Sequence, residues 1–368
     1  MATFTLAGAA SRAIATAARP VGLIGAIALF GCGPRNIAGD DGARAIQERH
    51  VDAERLGALW NQPTLQSALA KIGDPWSRVM SGAETKAFTD DISYKTVVGI
   101  GLPELLAIDL DVRGYAVQVV DPLPGSAADK AGIKTGDIVE TVDGKPTHGR
   151  PWKEIMAELR VAEGKTVDLG VRNRQEGLRT LTLKGEPLAA PVLVEGQATG
   201  TSSASIRLRG FTDKTAEDVA RLLTNLEPSE LELDLRDNPG GSLTSMLAVA
   251  GLFVGQKPVL AMRRARGTED TLSATGEQRY TGKLTVRVNE GTASAGEALA
   301  SALRYTKRAT VVGGKTFGKC LVHDLVQMAD GRGLLITIGR LHVPGQRPWC
   351  GEGVAPDTPE TTLPSLAH

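Results

Sequence analysis

The chain has no excess of charge of either sign. Its 42 basic residues (Lys and Arg) equal its 42 acidic residues (Asp and Glu), so it presents no overall basic field of the kind that attracts nucleic acid. Cysteine and histidine are scarce, at 3 and 5 residues, and nowhere have the spacing of a zinc site, and no glycine-rich loop has the spacing of a phosphate-binding loop. We therefore expect no nucleic-acid partner, no metal and no cofactor.

Aromatic residues are also few, at 4% of the chain. The 42% of hydrophobic residues nevertheless suffice for a core, and 368 residues allow more than one folding unit. We find no internal repeats.

The apolar run at residues 21–30 (VGLIGAIALF) is too short to cross a membrane comfortably. It lies in a stretch of 39 residues with arginine but neither Asp nor Glu, which is typical of a secretory signal. We therefore expect export to the periplasm or cell envelope. An organelle presequence, and hence an organelle lumen, is the alternative. Residues 29–32 (LFGC) resemble a bacterial lipobox, which implies lipidation of Cys32 and membrane contact only through that anchor.

Ser294 is the first candidate for a catalytic residue. The strand-like segment 283–289 (KLTVRVN) precedes it, and apolar residues at helical spacing follow over 295–307. Ser294 is therefore predicted to lie where a strand turns into a helix, where unpaired N–H groups and the helix dipole stabilise negative charge. Taken alone, however, the residue favours an ordinary N-cap.

Lys319 is the candidate for the base that Ser294 would need. A hydroxyl is a poor nucleophile unless a neighbouring group takes its proton, and a lysine does this when burial lowers its pKa. Lys319 follows Phe317 and Gly318. The glycine permits a tight turn, and the Phe317 ring is expected to shield the amine from water. A solvated surface lysine is the alternative.

A further strand-to-helix turn lies upstream. Residues 230–236 (ELELDLR) alternate as in a strand, residues 237–241 (DNPGG) turn, and an apolar stretch over 243–254 predicts a helix. Gly240 and Gly241 leave bare backbone N–H groups that can approach a substrate closely, as an oxyanion hole requires. An ordinary turn is the alternative.

The three strings LDLRDNPGG, VNEGTASAGE and VVGGKTFGK, in this order, resemble the carboxyl-terminal processing peptidases, serine–lysine dyad enzymes with an inserted PDZ domain. The resemblance extends to residues 72–78 (IGDPWSR), 206–211 and 353–357. It implies that Ser294 is the nucleophile and Lys319 the general base. It also implies that the amide of Ala295 and that of one of the glycines 240 and 241 bind the oxyanion.

Two positions depart from the usual pattern of that family. Its members usually have glutamine four residues after the lysine, where it helps to hold the lysine, whereas this chain has His323; Cys320 replaces a usual glycine. His323 can hydrogen-bond a neutral amine, but a protonated imidazole would oppose charge on Lys319. Two alternatives stay open: a Ser–His–Asp arrangement that uses His323 or His342, and a catalytically impaired PDZ scaffold that only binds C-terminal peptides.

A PDZ domain is indicated over residues 95–186. Residues 125–137 (GSAADKAGIKTGD) resemble its helix and turn, where Ser126 is expected to cap a short helix that Gly132 ends. In such domains an extended peptide with a free C-terminus adds a strand to an exposed sheet edge. Residues 98–102 (VGIGL) resemble the loop that binds the peptide carboxylate. The implied peptide-binding residues are Gly99, Ile100, Gly101 and Leu102.

The predicted fold class is α/β: a ClpP/crotonase-like peptidase core, as the resemblance implies, with an inserted PDZ domain and an N-terminal helical segment. The predicted boundaries are 1–31 (signal segment), 40–94 (N-terminal helical part), 95–186 (PDZ domain) and 187–368 (serine peptidase core). Further expected elements are a helix over 42–70 with a break near 61–63, strands over 192–208, a helix over 215–226 after a cap at 212–213, and a hairpin over 321–342.

The function predicted from these features is that of an exported serine endopeptidase that recognises and cuts C-terminal tails through Ser294 and Lys319. Its partners are protein or peptide substrates with free C-termini; the oligomeric state stays open. If Cys32 is lipidated, Cys320 and Cys350 are the two cysteines that remain. An oxidising compartment permits a disulfide between them, which would brace Lys319. Two separate reduced thiols are the alternative.

Overall fold

A computed structural model describes residues 41–56, 64–74, 76–92, 117–119, 122–150, 152–159, 164–173, 176–186 and 192–360. The predicted signal segment, the lipidation site at Cys32 and the peptide-binding loop at residues 98–102 lie outside the described residues. Within the described ranges, none of the helices combines the length and the apolar character needed to span a bilayer.

A six-stranded sheet forms one layer of the peptidase core. Its strands, in spatial order, are β16 (Thr358–Pro359), β13 (Thr310–Gly313), β12 (Lys283–Val288), β9 (Glu230–Asp234), β8 (Ser203–Leu208) and β7 (Val194–Ala198). β7 pairs with β8 in the antiparallel sense, and all the other neighbours are parallel. Parallel neighbours need a crossover connection, and helices α6 (Thr215–Leu226), α7 (Leu243–Val254) and α8 (Ala295–Tyr305) lie in these connections.

This topology brings the three recognised strings together. β9, β12 and β13 are parallel neighbours, with Asp234 opposite Arg287 and Val288 opposite Gly313. The loops that follow them therefore leave the same edge of the sheet, where open α/β sheets place their functional sites. These loops contain the pair Gly240 and Gly241, then Ser294, then Lys319.

A second, antiparallel sheet carries the chain onward from Lys319. Its strands are β1 (Arg78–Met80), β15 (Gly333–His342), β10 (Pro258–Arg263) and β11 (Glu269–Ser273), and β14 (Leu321–Gln327) also pairs with β15. The predicted hairpin over 321–342 is thus observed, and it turns where Met328 accepts from Gly331 N and its own N–H donates to Arg332 O. Buried side chains of both sheets belong to one hydrophobic cluster.

The helix predicted over 42–70 is interrupted earlier than the expected break near 61–63, which lies outside the described residues. The structure has α1 (Asp41–Arg49), a 3₁₀ turn (Ala53–Leu56) and α2 (Leu65–Ile72), followed later by α3 (Gly82–Ile92). The amide of His50 makes the last helical bond, to Ile46 O at 2.9 Å, and α1 ends there because the amide of Val51 donates to Thr337 O of β15 at 2.8 Å. Pairing with the sheet therefore replaces the next helical turn. Thr64 then caps α2 by accepting from Ser67 N.

The start of α6 also differs from the prediction. The residue at the N-cap position is Lys214, whose side chain makes no capping hydrogen bond. Thr215 Oγ1 instead accepts from the backbone N–H of Thr212 at 2.9 Å. The threonine inside the helix thus ties down the preceding turn, whereas we expected the cap at residues 212–213.

The described part of the predicted PDZ domain has its own sheet and its own core. Its elements are β2 (Val117–Gln118), α4 (Ala127–Lys130), β3 (Ile138–Val142), β4 (Lys145–Pro146), α5 (Trp152–Leu159), β5 (Thr166–Asn173) and β6 (Gly177–Lys184). As predicted, Ser126 Oγ accepts from Asp129 N at 3.1 Å and Gly132 has a φ of 73° after the helix. The boundaries of this domain stay a prediction.

Candidate active site

Ser294 lies between β12 and α8 at the N-cap position, but its backbone is not that of an ordinary cap. Its φ of 52° and ψ of −117° differ from the extended conformation that N-cap residues usually adopt. Such a conformation in a residue other than glycine costs on the order of 1–3 kcal/mol and concentrates at functional sites. The backbone conformation therefore favours a catalytic role for Ser294 over simple capping.

Glu297, in the first turn of α8, joins the Ser294 and Lys319 segments, although we did not single it out from the sequence. Its side chain is completely buried. Oε2 accepts from the backbone N–H groups of Ser294 (2.9 Å) and Lys319 (2.7 Å). Oε1 accepts from Thr316 Oγ1 (2.6 Å) and Gly318 N (2.7 Å). The backbones of Ser294 and Lys319 are therefore held on one carboxylate oxygen, within two hydrogen-bond lengths of each other.

The charge of Glu297 is subject to two opposing effects. Burial raises the pKa of the Glu297 carboxyl, and the hydrogen bonds from Thr316, Gly318, Ser294 and Lys319 offset that rise only in part. All four partners are donors, which suits a carboxylate. A sequence signal for this residue existed, because Ser294 and Glu297 have the spacing of a capping box.

Gly240 packs directly against the candidate nucleophile. Its φ is 106°, and a Cβ atom placed on it would lie 2.7 Å from Ser294 Cβ and 2.9 Å from Ala295 N. No larger residue fits without displacing Ser294. The Gly240 amide already donates to Asn238 Oδ1 at 2.8 Å. Of the two glycines, Gly241 is therefore the better candidate donor to an oxyanion.

The loops around Ser294 are tied to one another. Three hydrogen bonds make these connections: Asn289 Nδ2 to Asp237 Oδ1 (2.7 Å), Ala293 N to Asn238 O (2.8 Å) and Phe317 N to Thr292 O (3.0 Å). Each of the three recognised strings takes part in at least one of them. Rigid support of this kind preorganises donors around a developing charge.

Lys319 is buried, with only 3% of its surface exposed, so it is not a solvated surface lysine. Its Nζ lies 4.7 Å from the ring centroid of Trp76. The aromatic ring observed over the amine is that of Trp76, whereas the sequence pointed to Phe317. Phe317 is only half-buried, and its backbone is held by Thr292. Trp76 comes from the distant segment before β1, which local sequence patterns do not connect to Lys319.

The rival arrangement based on His342 is not supported by its contacts. His342 Nδ1 lies 3.0 Å from Val343 O, and Nε2 lies 3.1 Å from Glu269 Oε2. Both ring nitrogens are therefore already engaged by groups other than a serine. His323 Nε2, for its part, has no hydrogen-bond partner within the described ranges.

Comparison with known proteins identifies the family. Residues 202–359 match the model of Peptidase family S41, and residues 118–173 match that of the PDZ domain. Carboxyl-terminal-processing proteases of Picosynechococcus sp. and Synechocystis sp. are each 31% identical to this chain, over 295 and 325 residues. The alignments cover 78% and 85% of this chain, and 70% and 74% of the relatives. The chain belongs to the carboxyl-terminal-processing peptidases.

The fold of this C-terminal-processing peptidase agrees with that assignment. The solved structure of a photosystem II D1 C-terminal processing protease matches with a TM-score of 0.69 at 26% identity, over 87% of this chain and 91% of the other. The predicted family, the α/β peptidase core with a PDZ domain and the serine-type peptidase activity are confirmed. The roles of individual residues remain predictions.

His323 lies in β14 opposite Thr337 of β15 and is fully buried. Burial and, second, the nearby Lys319 lower the pKa of His323 well below its usual value. The imidazole is therefore neutral at neutral pH. Repulsion between a protonated His323 and the ammonium group of Lys319 does not arise at that pH. The histidine ring lies 6.1 Å from the Trp76 ring, centroid to centroid.

The buried neutral His323 predicts a loss of stability in mild acid. Unfolding exposes a histidine that binds a proton at a pKa of about 6.5, whereas the folded state does not bind it until lower pH. The free energy of unfolding should therefore be full above about pH 6.5 and fall by up to about 1.4 kcal/mol per pH unit below it. In a His323→Gln variant this slope should be smaller by that amount.

Denaturant unfolding of the Ser294→Ala protein, with and without His323→Gln, measures the two slopes without self-cleavage. His148→Gln changes an exposed histidine and should leave the slope of the parent protein unchanged. Parallel pH profiles for the parent and His323→Gln proteins would show that His323 is not buried in its neutral form.

A disulfide joins Cys320, the residue after Lys319, to Cys350. It spans a sequence separation of 30 residues, which corresponds to about 3–4 kcal/mol in the chain-entropy estimate. The segment around Cys350 is also hydrogen-bonded to the lysine loop, through Gly351 N to Gly318 O (2.8 Å) and Val354 N to Thr316 Oγ1 (2.7 Å). In this peptidase the replacement of the family's usual glycine by Cys320 thus adds a covalent brace beside Lys319.

Proposed function

We propose that this protein is an exported endopeptidase that recognises C-terminal tails of proteins and cuts them by acylation of Ser294, with Lys319 as the general base. The observation that carries the proposal is the shared Glu297 oxygen, which holds the backbones of a strained serine and a buried lysine together. An ordinary solvated surface turn would explain neither the strained backbone of Ser294 nor the burial of Lys319.

The reaction would begin with attack of Ser294 Oγ on the scissile carbonyl carbon while its proton passes to Lys319 Nζ. The amides of Ala295 and Gly241 would donate to the oxyanion, assisted by the N-terminus of α8. The ammonium group would then return the proton to the leaving amine. Water, activated by the neutral lysine, would hydrolyse the acyl-enzyme and restore Ser294.

Substrate choice would come from the PDZ domain. PDZ domains hold a terminal carboxylate with backbone N–H groups and add the peptide as a strand. We propose that Gly99, Ile100, Gly101 and Leu102 supply those groups here. A protein that only binds C-terminal peptides is the second candidate, on the ground that His323 and Cys320 do not support Lys319. The burial of His323, which lowers its pKa, argues against a charged imidazole beside Lys319.

Export rests on the arginine-containing, acid-free start of the chain, with residues 1–31 as the signal segment. The Cys320–Cys350 disulfide supports the same conclusion, because such bonds persist in oxidising compartments. Lipidation of Cys32 is part of the proposal and would tether the peptidase to a membrane.

Recognition of the substrate terminus predicts a difference between two forms of one unstructured substrate, ending in a carboxylate or in an amide. Loss of hydrogen bonds to a charged group costs about 1.5–3 kcal/mol. We therefore expect kcat/KM to be about 10- to 100-fold lower for the amidated form. Acetylation of the substrate N-terminus is the matched control and should have no effect. Equal kcat/KM for both C-terminal forms would contradict recognition of the tail.

A further inference from the structure

A buried polar cluster of His50, Asp74, Ser77 and Thr337 lies behind the candidate site; we call it the Asp74 cluster. Asp74 Oδ2 contacts His50 Nε2 (3.1 Å), Ser77 Oγ (2.6 Å) and Thr337 Oγ1 (2.6 Å). Burial alone would raise the pKa of Asp74, but the hydrogen bonds from His50, Ser77 and Thr337 outweigh it and hold the pKa well below its usual range. Asp74 is therefore ionised at neutral pH, and its carboxylate is hydrogen-bonded within the cluster.

The Asp74 cluster fixes the position of Trp76. Asp74 Oδ1 accepts from the backbone N–H of Trp76 at 3.0 Å. Ser77 Oγ accepts from the backbone N–H of Thr337 at 2.9 Å, which ties the same segment to β15. The Trp76 ring is thereby held over Lys319 Nζ at 4.7 Å.

An aromatic face suits a lysine that must gain and lose a proton. An ion-pair partner would stabilise the ammonium group so strongly that the neutral base would be rare at neutral pH. A ring quadrupole attracts a cation more weakly, and most strongly for tryptophan in a site shielded from water. It therefore favours the ammonium group as it forms without suppressing the neutral amine.

The charged and titratable groups on the elements packed around Lys319 make contacts of their own. The carboxylate of Glu297 on α8 accepts from four donors, and that of Asp74 accepts from its own cluster. His323 on β14 is neutral, and Arg78 on β1 lies over the Phe88 ring at 5.4 Å. His50 is tied to Asp74 and Ser77.

We propose that Trp76 is a further catalytic residue of this peptidase: its ring stabilises the ammonium form of Lys319 that arises as Ser294 attacks the substrate. The Asp74 cluster consists of positioning residues that hold the ring in place. This inference rests on the proposed function. Trp76, Asp74, Ser77 and His50 lie outside residues 202–359, which match the peptidase family model, so the N-terminal segment completes the site.

Two substitutions at Trp76 test the proposal through the pH profile of kcat. Trp76→Leu removes the aromatic face. It should lower the plateau of kcat about tenfold or more and move the midpoint of the rising limb about one pH unit lower, because the ammonium form loses stabilisation equivalent to one pKa unit. Trp76→Phe keeps a face and should stay within about threefold of the wild type with a midpoint between the two. An unchanged profile in Trp76→Leu, or a midpoint that moves to higher pH, would overturn the proposal.

A direct titration separates this effect from damage to the fold. In Ser294→Ala protein with ¹³C-labelled lysine, the Cε signal of Lys319, assigned by its loss in Lys319→Ala, reports the protonation of the amine. The same shift to lower pH is expected when Trp76→Leu is added, with thermal unfolding compared by circular dichroism. A titration midpoint that does not move would contradict the proposal even if activity falls.

The positioning role is tested at Thr337, which donates to Asp74. Thr337→Val removes the hydroxyl and should lower kcat several-fold more than it changes KM, whereas Thr337→Ser keeps the hydroxyl and should restore kcat. Thr224→Val, on the exposed face of α6, is the matched control. If Thr337→Val and Thr337→Ser both behave as wild type, the cluster does not position the ring.

If Lys319→Ala and Ser294→Ala are as active as wild type, the proposed function itself fails. If only those two are inactive and Trp76→Leu is normal, this inference alone fails.

Discussion

Replacing Ser294 with alanine is expected to lower kcat by about 10⁴-fold or more, because removal of a catalytic nucleophile leaves only binding and oxyanion stabilisation. The fold should survive, since the hydrogen bond from residue 294 to Glu297 uses the backbone N–H. Turnover of an unstructured protein substrate, followed by mass spectrometry of its fragments, measures the loss. Circular dichroism and denaturant unfolding verify the fold.

Ser301→Ala is the matched control for that substitution. Ser301 lies two turns further along α8 and is also buried, but it has no place in the proposed chemistry. It should keep kcat within a few-fold of the wild type. If Ser294→Ala retains the activity of the wild type, a different residue is the nucleophile. If Ser301→Ala is as inactive as Ser294→Ala, the loss reflects damage to α8.

Replacing Glu297 with alanine is expected to have the second largest effect, on both stability and activity. It leaves buried donors of Ser294, Thr316, Gly318 and Lys319 without their acceptor. Each unsatisfied buried group costs about 1–3 kcal/mol, so with partial relaxation we expect a loss of about 4 kcal/mol in the free energy of unfolding. Activity should fall by about 10²-fold or more even under conditions where the variant is folded, because a misplacement of about 1 Å costs that much.

Glu290→Ala provides the matched control, since Glu290 lies in the loop just before α8 and is exposed. It should leave both the free energy of unfolding and kcat close to those of the wild type. Glu297→Gln keeps the size of the side chain but replaces one acceptor oxygen with a donor, so an intermediate stability is expected. Wild-type kcat in folded Glu297→Ala protein would mean that the carboxylate does not align Ser294 and Lys319.

The sequence revealed the parts of the site that depend on local patterns. The glycines at 240 and 241, the serine before α8 and the lysine after a glycine turn each have a short-range signature, and parallel strand order brings them together. Glu297 had a partial signature in its spacing from Ser294. The capping-box pattern does not, however, reveal that the same carboxylate also binds the lysine segment.

Contacts between distant segments were beyond the reach of local patterns. Trp76 was noted within a motif, but its ring meets Lys319 only because the Asp74 cluster ties that motif to β15. The protonation of His323 likewise depends on its complete burial, which its sequence neighbours do not determine. The helix predicted over 42–70 is interrupted early for a related reason, because Val51 pairs with β15 instead of continuing α1.

Labelling of Ser294 by a fluorophosphonate, measured by intact mass from about pH 6 to about pH 10 to span histidine and lysine titration, tests most directly whether a neutral Lys319 activates this serine. The account predicts modification of Ser294 alone, at a rate that rises with pH to a plateau, and labelling about 10³-fold slower or more in Lys319→Ala. Labelling of Lys319→Ala at the wild-type rate, or a label on a different serine, would contradict it.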